Sequence, residues 1–257
     1  MHKLLILFTS ASLALFLAAC SKPESESESE PQPAEVDSPA AKASQVPDAG
    51  AAGGSDPTVL DPDHYTTEFE NEAVRIVRIK YDAGEESVMH YHPDSVAVFV
   101  ADIEGQMTLP DGSTEQFADS AGNAVFNPAG EHLPKNTSDS AWEVVEIELK
   151  PREAAAGEPG GPSATDVYAD HYTTEFENEA VRILRIAYGP GEESVMHYHP
   201  DSVAVFVTDH RVQMTMADGS TDEISASAGD AMFISGGQHL PKNISDSAWE
   251  LVLVELK

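Results

Sequence analysis

The sequence predicts an all-β protein built from two tandem copies of one small domain, each a sandwich or a barrel of the jelly-roll type, and three observations carry that prediction. Laid on itself at an offset of 107, the chain aligns residues 63–150 with 170–257 without a gap, and 63 of the 88 paired positions are identical. A period this long is too long for a solenoid repeat and suits a small domain. Within each copy, short runs of branched and aromatic residues alternate with turn segments bearing Gly, Pro, Asp and Asn. Beyond the first twenty residues, no stretch shows the 3.6-residue period of an amphipathic helix.

Taken in order, His2 and Lys3 precede an apolar stretch over residues 4–17, interrupted only by Thr9, Ser10 and Ser12. A run of about 14 residues is too short to span a bilayer, so residues 1–19 read as a signal peptide. It closes on "LAAC" at Cys20. Small residues directly before a cysteine resemble the lipobox of bacterial lipoproteins. The resemblance implies cleavage before Cys20, acylation of Cys20 by palmitate or a similar chain, and tethering to the bacterial cell envelope. Ser21 in place of an aspartate implies the periplasmic face of the outer membrane. An ordinary secretory signal with an incidental cysteine is the competing reading. Each buried methylene contributes about 0.8 kcal/mol, so two or more acyl chains anchor a protein stably. With Cys20 the sole cysteine, neither a disulfide framework nor a thiolate metal cluster is open to the chain.

Residues 20–57 carry no aromatic side chain and are dominated by Pro, Glu, Ser, Ala and Gly. Such a segment buries too little apolar surface to fold and reads as a disordered acidic tether. About 40 residues of it would reach roughly 35 Å. The whole chain has a formal net charge of −31. That excess argues against nucleic acid as a partner, because phosphate binding needs basic clusters.

The first barrel is expected over residues 58–150. "AVRIVRIKY", "SVAVFVADI", "QMTL" and "WEVVEIEL" supply strands, and "DAGEES", "PDGST", "SAGN" and "PAGEHLPKN" supply turns. Residues 151–169, rich in Gly and Pro at their centre, read as a linker, and the second barrel follows over 170–257. Because a domain this small buries a limited core alone, the copies are expected to pack together as an intrachain pseudo-dimer.

Each copy spells "GEESVMHYHPDSVAVFV", once from Gly84 and once from Gly191. On a strand, residues i and i+2 share a face, so His90 and His92 project together, as do His197 and His199. His132 and His239 follow in the "EHLPKN" and "QHLPKN" segments, after a turn able to bring them across. Three imidazoles suit a divalent transition metal such as Fe(II), Zn, Mn, Cu or Ni better than Mg or Ca. Asp94 and Asp201, two residues past each pair, are candidates for an oxygen ligand or for capping the "HPDS" turn. His64 and His171 in "DHYTTEFENE" suit local hydrogen bonds, Glu68 and Glu70 a solvated edge, and His210 an exposed position. Val88, Val96 and Phe99 are the expected apolar lining of the pocket.

The arrangement resembles the cupin superfamily. Its first motif is matched by Gly84, His90, His92 and Gly105, and its second by Gly122, Pro128, Gly130, His132 and Asn136, with one residue fewer than usual before the histidine. The resemblance covers both copies and implies a metal at the mouth of each barrel, held by His90, His92 and His132 and by His197, His199 and His239. The glutamate of the first motif is absent, Val96 and Ala97 standing where it is expected. Cupins of the thiol dioxygenase and diketone-cleaving types resemble this chain in using three histidines alone, which favours Fe(II). The second copy has Ser235 for the motif proline and Val212 for the glycine, which predicts altered loop geometry around a retained site.

Two functions stay open at this level. One is an Fe(II)-dependent dioxygenase-like enzyme acting on a small molecule. The other is a non-catalytic periplasmic module that binds a metal or small ligand, consistent with the lack of an evident acid, base or nucleophile beside the histidines.

Overall fold

The computed structural model describes residues 55–152 and 160–257. The signal peptide, Cys20, nearly all of the tether and the middle of the linker lie outside them. Among the described residues, no helix is long and apolar enough to cross a membrane.

The first copy opens with a single helical turn, α1 (Pro57–Leu60), capped by Asp56, whose side chain accepts from the Thr58 amide at 2.9 Å. Nine strands follow: β1 (Tyr65–Glu70), β2 (Val74–Tyr81), β3 (His90–His92), β4 (Ser95–Phe99), β5 (Ile103–Thr108), β6 (Thr114–Asp119), β7 (Ala124–Asn127), β8 (Gly130–Asn136) and β9 (Trp142–Leu149). They form a five-stranded sheet, β1-β2-β9-β4-β7, and a four-stranded sheet, β3-β8-β5-β6, with every pairing antiparallel.

The second copy repeats the pattern. It comprises α2 (Ala164–Val167), β10 (Tyr172–Glu177), β11 (Val181–Tyr188), β12 (His197–His199), β13 (Ser202–Phe206), β14 (His210–Met216), β15 (Thr221–Ala226), β16 (Ala231–Ile234), β17 (Gly237–Asn243) and β18 (Trp249–Leu256). Its sheets run β10-β11-β18-β13-β16 and β12-β17-β14-β15. The structural repeat reaches back past the aligned sequence. The Tyr91 amide donates to Ser55 O and the Tyr198 amide to Pro162 O, each at 2.9 Å, so the arm ahead of each barrel docks in the same way.

The central strands of the five-stranded sheets are buried on both faces, which is why they read as largely hydrophobic runs. On β2, Val77, Ile79 and Tyr81 point into the barrel with Trp142 and Val144 of β9. The opposite face carries Val74, Ile76, Val96, Val98, Val145 and Ile147, which share one buried cluster with their counterparts 107 residues on.

Contacts across this common core come in reciprocal pairs. Phe69 stacks on Phe233 with ring centroids 5.3 Å apart, and Phe126 on Phe176 at 5.4 Å. Arg78 donates to Gly229 O and Arg185 to Gly122 O, both at 2.7 Å. A bulge between Thr67 and Phe69 shifts the register of β1, and the same shift recurs in β10. Gly122 and Gly229 occupy positive-φ turns at +86° and +89°. A Cβ on Gly122 would meet Val207 at 3.0 Å, so glycine is required there for turn and contact alike.

Candidate metal centres

The register of the four-stranded sheet assembles each centre. β3 exposes His90 and His92 to the barrel interior, and His90 is paired directly with His132 across β8. The same register sets His197 opposite His239. The ligand-capable atoms of each trio lie within 4.8 Å of one another. That is an ion-sized cluster, given Zn–N bonds of about 2.0–2.1 Å. Ring separations in the first barrel are 4.9, 4.8 and 5.2 Å, against 4.9, 4.9 and 5.2 Å in the second. The site expected to be retained despite Ser235 and Val212 thus keeps the ring spacing of the first.

Partners on the far side of the rings fix their tautomers. His90 Nδ1 donates to Val88 O at 2.7 Å, and His92 Nδ1 to Glu148 Oε1 at 2.7 Å, which leaves Nε2 of both rings as the lone-pair atom. Glu148 is itself held by Arg75 Nε at 2.5 Å, and Arg75 by Asp56 at 2.6 Å. Burial pushes the Glu148 carboxyl up, but the hydrogen bonds from His92 and Arg75 outweigh it and hold the group below its ordinary range. Glu255, His199 and Arg182 repeat this arrangement, with Ser163 and Thr165 on the arginine in place of Asp56.

Burial, together with the neighbouring imidazoles, lowers His90 to about 4 and His132 to about 3. Burial likewise lowers His197 to about 4 and His239 to about 3. These four rings are neutral at ordinary pH, which is the form that ligates a metal.

A tyrosine absent from the sequence reading completes each cluster. The Tyr65 hydroxyl lies 3.1 Å from His90 Nε2 and 2.7 Å from the Tyr81 hydroxyl, and Tyr172 stands in the same relation to His197 and Tyr188 at 3.0 and 2.8 Å. Burial raises the Tyr65 phenol well above its usual value, so it stays protonated and able to donate. Glu148 was missed as well, although a signal existed: in "WEVVEIEL" it shares an alternation face with Trp142.

Other sequence readings resolve individually. Asp94 and Asp201 are turn caps, accepting from the amides of Ala129 and Gly236 at 2.7 and 2.8 Å. His64 bonds to Asp61 and Glu85, and His171 to Ala187 O. Glu68 pairs with Arg78, and Glu70 with Lys150 on the exposed edge.

Three expectations need correction. His210 is buried, not exposed, wedged against Trp249 at 4.1 Å and Phe206 at 4.9 Å, where a neutral imidazole packs as an aromatic ring. Val88 is exposed because its carbonyl, not its side chain, is turned to His90. Val96 points into the core shared by the two copies, on the opposite face of β4 from the barrel interior.

Next to His199 and His239, the second barrel holds a cavity of about 50 Å³, walled by Phe206, Met214, Ile234 and Leu253 among others. The counterparts of the last two in the first barrel are Asn127 and Glu146.

No protein-family model and no curated relative matches the chain. Solved structures do. A tryptophan-to-phenylalanine variant of oxalate decarboxylase from Bacillus subtilis aligns with a TM-score of 0.51 and 13% identity, covering 74% of this chain and 71% of that one. A four-residue replacement variant of the same enzyme gives the same figures. A cupin 2 conserved barrel domain protein from Leptotrichia buccalis aligns at 0.48 and 11%, covering 75% and 88%. The described residues form a tandem cupin fold with one three-histidine cluster in each barrel.

Proposed function

We propose that the chain is a membrane-tethered, metal-dependent bicupin of the dioxygenase type, in which each histidine trio holds Fe(II) or another divalent transition metal. The observation that carries this reading is the pair of matched clusters: three converging imidazoles, two with a ring nitrogen engaged by backbone and carboxylate, repeated at the same spacing. The donor set fits such an ion. It is all nitrogen and oriented, and it leaves coordination positions for a small molecule. Bound Fe(II) would supply a redox-active site for dioxygen and substrate together.

The protein's own groups have separate tasks. Glu148 and Glu255 orient His92 and His199 through the hydrogen bonds to their Nδ1 atoms. The Tyr65 and Tyr172 hydroxyls lie against His90 and His197 Nε2, the lone pairs that a bound metal would take, so in the loaded protein each would be released to donate to a small molecule. The apolar walls formed by residues such as Trp142 and Trp249 exclude water. Tethering through acylated Cys20 is supported by the "LAAC" segment, and an intrachain pseudo-dimer by the common core.

Oxygen uptake by the iron-loaded full chain, with small thiols and 1,3-diketones as substrates, tests the proposal. Iron-dependent consumption is expected. Turnover that persists in metal-free protein or without oxygen would contradict it. A non-catalytic binding role is favoured for the second barrel alone, because Leu253 leaves its interior without the extra carboxyl that the first barrel contains.

A further inference from the structure

We propose that the two centres receive different ligands, divided by one interior position: Glu146 suits the first barrel to a small hydroxyl-bearing molecule, and Leu253 suits the second to an apolar one. This rests on the metal-centre reading above and names the ligand class for each site.

Alternation along β9 puts Trp142, Val144, Glu146 and Glu148 on the barrel side, as it puts Trp249, Leu251, Leu253 and Glu255 on β18. Glu148 and Glu255 are both committed to an arginine and a histidine. Glu146 is different. It is buried to 6% exposure and, among the described residues, makes no ion pair. Its neighbours are His92, Ser95 and Asn127, and burial outweighs their effect to push its carboxyl up. Ser95 stands beside it without a hydrogen bond of good geometry. Two positions change polarity together, since Asn127 becomes Ile234 where Glu146 becomes Leu253.

The fold does not need this carboxyl, because the second copy builds the same strand with leucine and the same register. A carboxyl paired with no cation and facing only neutral partners such as Ser95 and Asn127 is unfavourable to bury. Its counterpart Leu253 lines the cavity beside His199 and His239, and the shared register puts Glu146 on the corresponding side of the first barrel, towards His92 and His132. A second cation is disfavoured next to a divalent ion, and an anion is disfavoured beside an ionised carboxylate. A hydroxyl pairs with the carboxyl in either protonation state, and with the amide of Asn127 as well. In the second barrel, Leu253 and Ile234 line the cavity beside His199 and His239 and offer such a group nothing.

The test uses the cobalt(II)-loaded full chain and two isosteric probes, hydroxyacetone and butanone, followed through the cobalt absorption bands. Each barrel is observed alone by removing the other's pair with His197→Ala/His199→Ala or His90→Ala/His92→Ala. In the first barrel hydroxyacetone is expected to bind at least about tenfold more tightly than butanone, and Glu146→Leu is expected to abolish that preference. The second barrel is expected to prefer butanone. An equal or absent response to the two probes in the first barrel, or a preference that survives Glu146→Leu, overturns the proposal while leaving metal binding intact. Absence of cobalt bands before any probe is added overturns the metal-centre reading and this proposal together.

Discussion

The two barrels share their histidine triads and differ in what surrounds them. The triads, the Tyr65/Tyr81 and Tyr172/Tyr188 pairs and the Glu148 and Glu255 props superpose in kind and distance. The interior beyond them has changed. Glu146 and Asn127 have become Leu253 and Ile234, Ile103 has become His210, and Gly105 facing Phe117 has become Val212 facing Ile224. Ligand geometry is thus fixed by strand register, which tolerates little change, whereas the barrel filling can be exchanged in compensating sets.

The largest effect should come from forcing the second barrel to imitate the first. Leu253→Glu buries a carboxyl among apolar walls and is expected to lower stability by about 3–5 kcal/mol in denaturant unfolding. The reverse exchange, Glu146→Leu, is expected to be neutral or stabilising. If the two changes cost the same, the interiors are not different in the way described.

Next in size is the carboxylate behind the metal ligand. Glu148→Gln and Glu255→Gln should each weaken metal affinity at their own centre by about 10–100-fold, measured by chelator competition. Unequal losses would show that Asp56, which only the first relay contains, carries part of the effect.

A smaller effect tests compensation. A Cβ on Gly105 would fall 2.2 Å from the Phe117 ring. Gly105→Val is therefore expected to destabilise by about 1–3 kcal/mol, and adding Phe117→Ile should restore most of the loss. Simple additivity of the two changes would contradict a shared packing site.

The smallest effect concerns pH. Burial lowers His210 from 6.5 to about 4, so the unfolded chain binds its proton more readily than the folded one. The stability this difference contributes is complete above pH 6.5 and is lost as pH falls towards 4. His210→Ile, copying Ile103, should make the Tm of metal-free protein fall less between pH 7 and pH 5. An unchanged slope would count against the burial of His210.

The same contrast shows what the sequence could and could not reveal. The duplication, the strands and the triads were legible because each depends on local spacing: H-x-H on a strand, and one histidine after a turn. Tyr65 and Glu148 were not, since their approach to His90 and His92 depends on which strands become neighbours. Glu146 was written in the alternation of "WEVVEIEL", but its lack of a cationic partner became visible only once Arg75 was seen to be taken by Glu148. His210 was misjudged because a titratable side chain was expected at the surface, whereas an imidazole between Phe206 and Trp249 is buried as a neutral ring.

The most direct test of the central claim is the metal content of the full chain after reconstitution, compared with His90→Ala/His92→Ala, His197→Ala/His199→Ala and the two combined. Two equivalents in the unaltered protein, one in each paired variant and none in the combination are predicted. Absence of metal in the unaltered protein, or a content that the substitutions leave unchanged, would contradict the assignment of the histidine trios as metal centres.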